Sequence, residues 1–245
     1  MRTLLVLSKY QEIFDAFLAS YNKYGKDDLP HNKLIVTETG VQAPSDWQQV
    51  IFNEPYSYSR IMNFAFKNTK GDVAFFSDDT QFTHTNTIQL LQMAAYSKPD
   101  IGAVSPLIDG AVYNGAQIGN QQSTGPVIAT TALCYVAQFF REQALHESDP
   151  LDESLLGICW EDIDHSLSLG KAGWKCAVTP TAVVKHGFGE YTDGATWKRS
   201  EVMPNGMAYN QNIFGNKWRG KLDFLGPLVP DSPINAILKR LQEGK

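Results

Sequence analysis

Short, wholly apolar runs alternate with helical periods over the first hundred residues. Residues 4–7 are apolar throughout, the pattern of a strand buried on both faces. From Gln11 the period lengthens: Ile13, Phe14, Phe17, Leu18 and Tyr21 share one helical face, and Gly25 closes the segment. Residues 34–36 predict a second buried strand, ended by Thr37-Glu38-Thr39-Gly40. A helix over 61–66 stops at the Lys70-Gly71-Asp72 turn. Residues 73–76 predict a third strand running into Ser77-Asp78-Asp79, followed by a helix over 87–96 and a fourth strand over 101–104. This alternation predicts an α/β fold: a mixed, mostly parallel central sheet flanked by helices, with right-handed crossovers.

Beyond residue 105 the alternation loosens. Residues 110–125, rich in Gly, Asn and Gln, read as loop or hairpin. Residues 128–139 mix β-branched and aromatic side chains, the pattern of a buried strand leading into a helix. A helix is expected over 162–172, ended by Gly173, and a strand over 174–178. Near the C-terminus Ile234, Ile237, Leu238 and Leu241 recur at helical spacing after Pro233.

Composition narrows the function classes. The chain has 245 residues, 21 Lys+Arg and 26 Asp+Glu, for a net charge of −5, which argues against a non-specific nucleic-acid binder. Its length suits one substantial core with a small appendage. No apolar run is long enough to span a bilayer, and the first one is too short for a signal-peptide core. Cys134, Cys159 and Cys176 form no CxxC pair. A disulfide scaffold or thiolate zinc site is therefore not expected, and a reducing, cytoplasmic setting is. Charge is uneven: residues 198–245 hold 8 basic and 4 acidic residues, the first 197 hold 13 and 22. The expected organisation is an acidic main domain over 1–197 and a basic C-terminal extension over 198–245 packed on it. The extension either docks its apolar stripe on the domain or offers Lys217, Arg219 and Lys221 to an anionic acceptor.

Three clusters carry candidate chemistry. Ser77-Asp78-Asp79 follows a buried strand, and ligands of open α/β sheets gather outside the carboxyl ends of strands. Adjacent carboxylates repel, and a divalent cation relieves them; a turn that caps the next helix is the competing explanation. Glu161-Asp162-Ile163-Asp164 starts a helix directly after Ile158-Cys159-Trp160. The helix dipole favours carboxylates there, and an apolar wall suits one of them to general-base work. His186, followed by Gly187 and Gly189, is a surface histidine or a ligand approached closely by backbone.

In their order and spacing these segments resemble the nucleotide-sugar glycosyltransferases of the GT-A (Rossmann-like) fold, particularly the inverting family two. The resemblance runs over roughly residues 1–190: Asn63-Phe64-Ala65, Gly71-Asp72-Val73, Ser77-Asp78-Asp79, Leu151-Asp152-Glu153, Glu161-Asp162-Ile163-Asp164, Ala172-Gly173-Trp174, Pro180 and His186. It implies a metal-dependent enzyme that moves a sugar from a nucleoside-diphosphate sugar to an acceptor hydroxyl with inversion, using Mn²⁺ or Mg²⁺. On the donor side it implicates Ser8, Tyr10, Glu38, Asn63, Asp78 and Asp79. Asp79 and His186 would hold the cation, Asp162 would be the base with Glu161 beside it, and Trp160 and Asp164 would meet the acceptor. Two departures stand out: Ser77 replaces the first carboxylate of the metal motif, and Ser168 and Lys171 occupy the stretch that often carries a diphosphate-gripping arginine. Lys171, Lys185 or a tail residue is the expected substitute. The acceptor classes implied are a glycan, a lipid-linked glycan, a small molecule or a modified nucleic-acid base. Two alternatives on the same fold stay open: an inactive sugar- or nucleotide-binding module, and a sugar nucleotidyltransferase, although Ser8-Lys9-Tyr10-Gln11-Glu12 is not a glycine-rich phosphate loop.

Overall fold

A computed structural model describes residues 1–25, 31–38, 40–110, 112, 114–119, 126–187, 206–226 and 233–245. The expected boundary at 197/198, Phe188-Gly189 after His186, and the Gly/Gln-rich stretch 120–125 lie outside the described residues.

The sheet begins with β1 (Arg2–Leu7), β2 (Asn32–Thr37), β3 (Gln48–Ile51) and β4 (Asp72–Ser77), parallel to one another in the order β3-β2-β1-β4. Its second half holds β5 (Thr80–Phe82), β6 (Ile101–Asp109), β7 (Ile128–Thr130), β8 (Ala137–Phe140) and β9 (Lys175–His186), continuing as β8-β6-β9-β5, with β7 beside β9. Helices α1 (Gln11–Ser20), α2 (Tyr58–Lys67), α3 (Thr87–Ala95), α4 (Glu142–Glu147) and α5 (Glu161–Lys171) flank it, and α6 (Gly206–Trp218) and α7 (Pro233–Gln242) form the tail. No helix among the described residues is long and apolar enough to cross a membrane.

The uninterrupted apolar strands are explained by cover on both faces. Alternate residues of β1 and β4 point to opposite sides. Leu4, Val6, Ala74 and Phe76 join Phe14 and Phe17 of α1 and Ile88 and Leu91 of α3. Leu5, Leu7, Val73 and Phe75 join Ile61, Met62 and Ala65 of α2 and Leu169 of α5. A third cluster unites Ile163 and Leu167 of α5 with Phe214 and Trp218 of α6 and Leu238 and Leu241 of α7.

Two expectations change. The stretch 128–139 is not one strand leading into a helix: it holds β7, a turn, and the start of β8, and the helix follows at α4. β8 also inserts antiparallel between β4 and β6, pairing Phe139 with both Ala74 and Val104. A run as short as Ala137-Gln138-Phe139-Phe140 looks the same as a helix segment or a strand until its neighbours are known. The strand expected over 174–178 runs on to His186, with a register shift against β6 between Pro106 and Leu107.

Candidate active site

A cavity of about 740 Å³ opens at the carboxyl ends of β1, β2 and β4 and reaches across to the start of α5 and the tail. Ser8, Lys9, Glu38, Asp78, Asp79 and His186 line one part; Trp160, Glu161, Asp162, Met207, Ile234 and Ile237 line another. Of the residues expected in the site, Ser8, Glu38, Asp78, Asp79, Trp160, Glu161, Asp162 and His186 line this cavity, while Tyr10, Asn63 and Asp164 do not.

The sheet places the first group. β1 ends one residue before Ser8, whose hydroxyl donates to Asp78 Oδ2 at 2.6 Å. Burial, and then the charge of neighbouring Asp79, push the Asp78 carboxyl up to about 7, against the lowering pull of the Ser8 hydrogen bond. Lys9 Nζ lies 2.9 Å from Glu38 Oε2 at the end of β2. Asp79 is held differently. Ser77 Oγ donates to its Oδ1 at 2.6 Å, and His186 Nε2 stands 3.3 Å from its Oδ2. Burial works to raise this carboxyl, but His186 and Ser77 outweigh it and hold it below its ordinary value.

His186 reaches Asp79 through strand register. β5 pairs antiparallel with the end of β9, Thr80 opposite His186, and Gly187 N donates to Asp79 O at 2.8 Å. Gly110, at φ 138°, backs onto the same point: a Cβ there would sit 2.5 Å from His186 O.

No cluster of three or more His, Cys, Asp or Glu ligands forms among the described residues. Asp79 and His186 nevertheless fit a divalent cation. They offer one carboxylate oxygen and one imidazole nitrogen in contact at the cavity wall, with their remaining surroundings shielded. A two-ligand protein set would leave room at such an ion for oxygens of water or of a bound ligand.

The second group stands on the start of α5. Asp162, half-buried, accepts from Ile163 N at 2.8 Å and from Tyr135 N at 3.4 Å. Glu161 is buried beside it. Trp160 caps the helix in the left-handed region, at φ 76°, and its ring packs 4.8 Å from that of Phe214.

The three remaining residues lie elsewhere. Asn63 is a staple: Nδ2 donates to Leu151 O and Glu153 Oε1, and Oδ1 accepts from Leu151 N. Asp164 is wholly buried and accepts from Lys217 Nζ at 2.8 Å and Trp218 Nε1 at 2.7 Å. On a helix, residues two apart face different ways, so Asp162 and Asp164 diverge. Tyr10 is exposed where the chain enters α1. Of the expected basic substitutes, Lys171 pairs with Asp149 and Lys217 with Asp152 and Asp164. Among the described residues, Lys9 is the one lysine or arginine that lines the cavity.

Sequence reasoning passed over Tyr56, Tyr58 and Tyr135, which line the cavity. Burial first, then the charge of Glu161, raises the phenols of Tyr56 and Tyr58 well above their ordinary value, keeping both as hydroxyl donors. The Pro55-Tyr56-Ser57-Tyr58 run, with Ser57 accepting from Arg60 N as the α2 cap, was the available signal.

The sequence matches no protein-family model and no curated protein. Solved structures do match. GalNAc-T7, crystallised with UDP, GalNAc and Mn²⁺, superposes with a TM-score of 0.68 at 12% identity, over 99% of this chain and 54% of that one. The mannosyltransferase PcManGT from Pyrobaculum calidifontis, in complex with GDP-Man and Mn²⁺, gives 0.62 at 12% identity, over 98% and 69%. TarS 1–349 of S. aureus gives 0.55 at 15% identity, over 91% and 72%. The chain thus spans about half the length of the first of these proteins. What such distant likeness establishes is architecture: the chain has the GT-A fold of glycosyltransferases.

Proposed function

We propose that the protein is a divalent-cation-dependent glycosyltransferase that moves a sugar from a nucleoside-diphosphate sugar to an acceptor hydroxyl, with inversion at the anomeric carbon. One observation carries the reading: the cation-fitting pair Asp79–His186 and the solvent-reachable carboxylate of Asp162 line the same cavity. The structural neighbours bound to UDP or GDP-Man with Mn²⁺ support the donor class and the cation.

In this reading the nucleoside end lies along Ser8, Lys9 and Glu38, and Asp78 faces the ribose or the sugar. Asp79 and His186 would hold the cation, and a cation there would supply positive charge to the leaving diphosphate. Lys9 adds a positive charge on the donor side, where an arginine of the α5 stretch is missing. Asp162 takes the acceptor's proton as the hydroxyl oxygen attacks the anomeric carbon, with Glu161 beside it. A single displacement of this kind inverts the anomeric configuration. Trp160 offers an aromatic platform to the acceptor, and Ile158, Met207, Ile234 and Ile237 give that end an apolar wall.

The test is incubation with UDP-, GDP- and TDP-sugars, each with Mn²⁺ or Mg²⁺, following nucleoside diphosphate release. Slow, cation-dependent hydrolysis of one donor is expected, and proton NMR of the first sugar product should show the inverted anomer. Binding without turnover would replace the enzyme by a binding module. Exchange with pyrophosphate would point to nucleotidyl transfer instead.

A further inference from the structure

Two successive non-glycine residues before α5 lie in the left-handed region: Cys159 at φ 92° and Trp160 at φ 76°. Such conformations are strained for side chains other than glycine and persist only where the surroundings over-determine them. This turn also aims Asp162, because Trp160 O accepts the first helical hydrogen bond from Asp164 N at 2.8 Å.

The surroundings come from the tail. Asn210 of α6 is wholly buried. Its Nδ2 donates to Leu156 O and to Cys159 O, each at 2.9 Å, and its Oδ1 accepts from Leu156 N at 2.9 Å. Only one orientation of the amide satisfies all three backbone groups, so its flip is decided by the network. On the other side Tyr58 N donates to Gly157 O at 2.7 Å. Further along the same face of α6, Phe214 packs on Trp160, and Lys217 and Trp218 grip Asp164. Residues 210, 214, 217 and 218 fall at the spacing of one helical stripe. The stripe holds the chain before, at and after the cap that delivers Asp162.

We infer that Asn210 is a positioning residue for the transfer reaction, bracketing the Leu156–Cys159 backbone so that the left-handed turn points Asp162 into the cavity. The inference rests on the reading of Asp162 as the base. It makes the tail helix a working part of the site, although no atom of Asn210 lines the cavity.

The experiment compares two variants. Asn210→Asp keeps an acceptor for Leu156 N and loses both donated bonds. Gln242→Ala also removes two donated bonds in the tail, to Leu222 O and Gly226 O, away from the turn. At a temperature well below both melting transitions, Asn210→Asp should lose about 10²-fold in kcat with donor KM within about twofold, the scale of a misplaced reacting group. Gln242→Ala should melt earlier and keep its kcat. Amide exchange over residues 157–165, read by mass spectrometry, should accelerate in Asn210→Asp alone. An equal kcat loss in Gln242→Ala, or a near-normal kcat in Asn210→Asp, overturns the assignment. So does unchanged exchange in Asn210→Asp, whether or not the wild type turns over a donor. A wild type that turns over no donor, with exchange still raised in Asn210→Asp, sinks the reading of Asp162 and leaves the bracket standing.

Discussion

The part of the cavity that carries Ser8, Glu38, Asp78 and Asp79 stands on strand ends, whereas the part that carries Trp160, Glu161 and Asp162 stands on a helix start braced by the tail. In the first, hydrogen-bonded parallel strands with residues buried on both faces set the backbone, and the carboxylates inherit its rigidity. In the second, a turn with two left-handed residues is held by side chains from a separate segment. Ion pairs differ in the same way. Lys9–Glu38 is partly exposed, while Asp164 has no exposed surface and depends on Lys217 and Trp218. The comparison teaches that the strand-end part should tolerate loss of a partner with local effects, and the helix part should transmit it to stability and to chemistry.

The largest effect is expected from Asp162→Asn. It should lower kcat by roughly 10²–10³-fold while leaving donor affinity and melting temperature near wild type, the scale of a lost general base. Steady-state kinetics with calorimetry of donor binding checks it, and near-normal turnover would reduce Asp162 to a capping residue.

Asp79→Ala acts on the other part. It should remove the cation-dependent share of donor affinity, about 10²-fold, with little change in stability. Titration with and without Mn²⁺ reads this directly. If wild-type binding ignores the cation, the pairing of Asp79 with His186 has another purpose.

Lys217→Met should expose the contrast in stability. It leaves Asp164 buried without its main counter-charge, at a cost of about 2–3 kcal/mol in urea unfolding, reduced from a fully buried pair because Lys217 is partly exposed. Adding Asp164→Asn should recover much of that loss. An unaffected single variant would mean that the tail is not a stabilising brace.

The smallest effect is a pH dependence in the same helix. Burial, followed by the charge of Lys217, lowers the His165 imidazole to about 3, with Nδ1 2.6 Å from the Tyr135 hydroxyl. The unfolded chain takes up a proton there near pH 6.5 and the folded protein does not. This contribution is therefore whole above about pH 6.5 and is lost progressively as pH falls below it. Measured against His165→Asn, the wild-type advantage should shrink over that window. A constant difference between pH 7.5 and 5 would show that His165 titrates normally.

Much of the strand-end architecture was legible in the sequence. The apolar runs of β1, β2 and β4 and the helical periods of α1, α2, α3 and α5 are local consequences of being covered on two faces or one. Asp78, Asp79 and Asp162 stood out because carboxylates next to apolar runs demand a reason. Asn63 and Asp164 were expected on the donor and acceptor sides through the family resemblance, yet their partners, Leu151 and Glu153 for one and Lys217 and Trp218 for the other, come from segments far along the chain.

The sequence alone therefore determined the three buried strands and the helices between them over the first hundred residues, and which carboxylates follow β4, but not the edge strands β3 and β5. Tertiary structure decided the rest: β8 entering the sheet antiparallel, His186 meeting Asp79, Tyr56 and Tyr58 facing the cavity, and Asn210 holding the turn before α5. Periodicity reports how each residue is covered, since burial follows from local composition. Partners are chosen by strand register and helix packing between distant segments, and these leave no periodic trace in the chain.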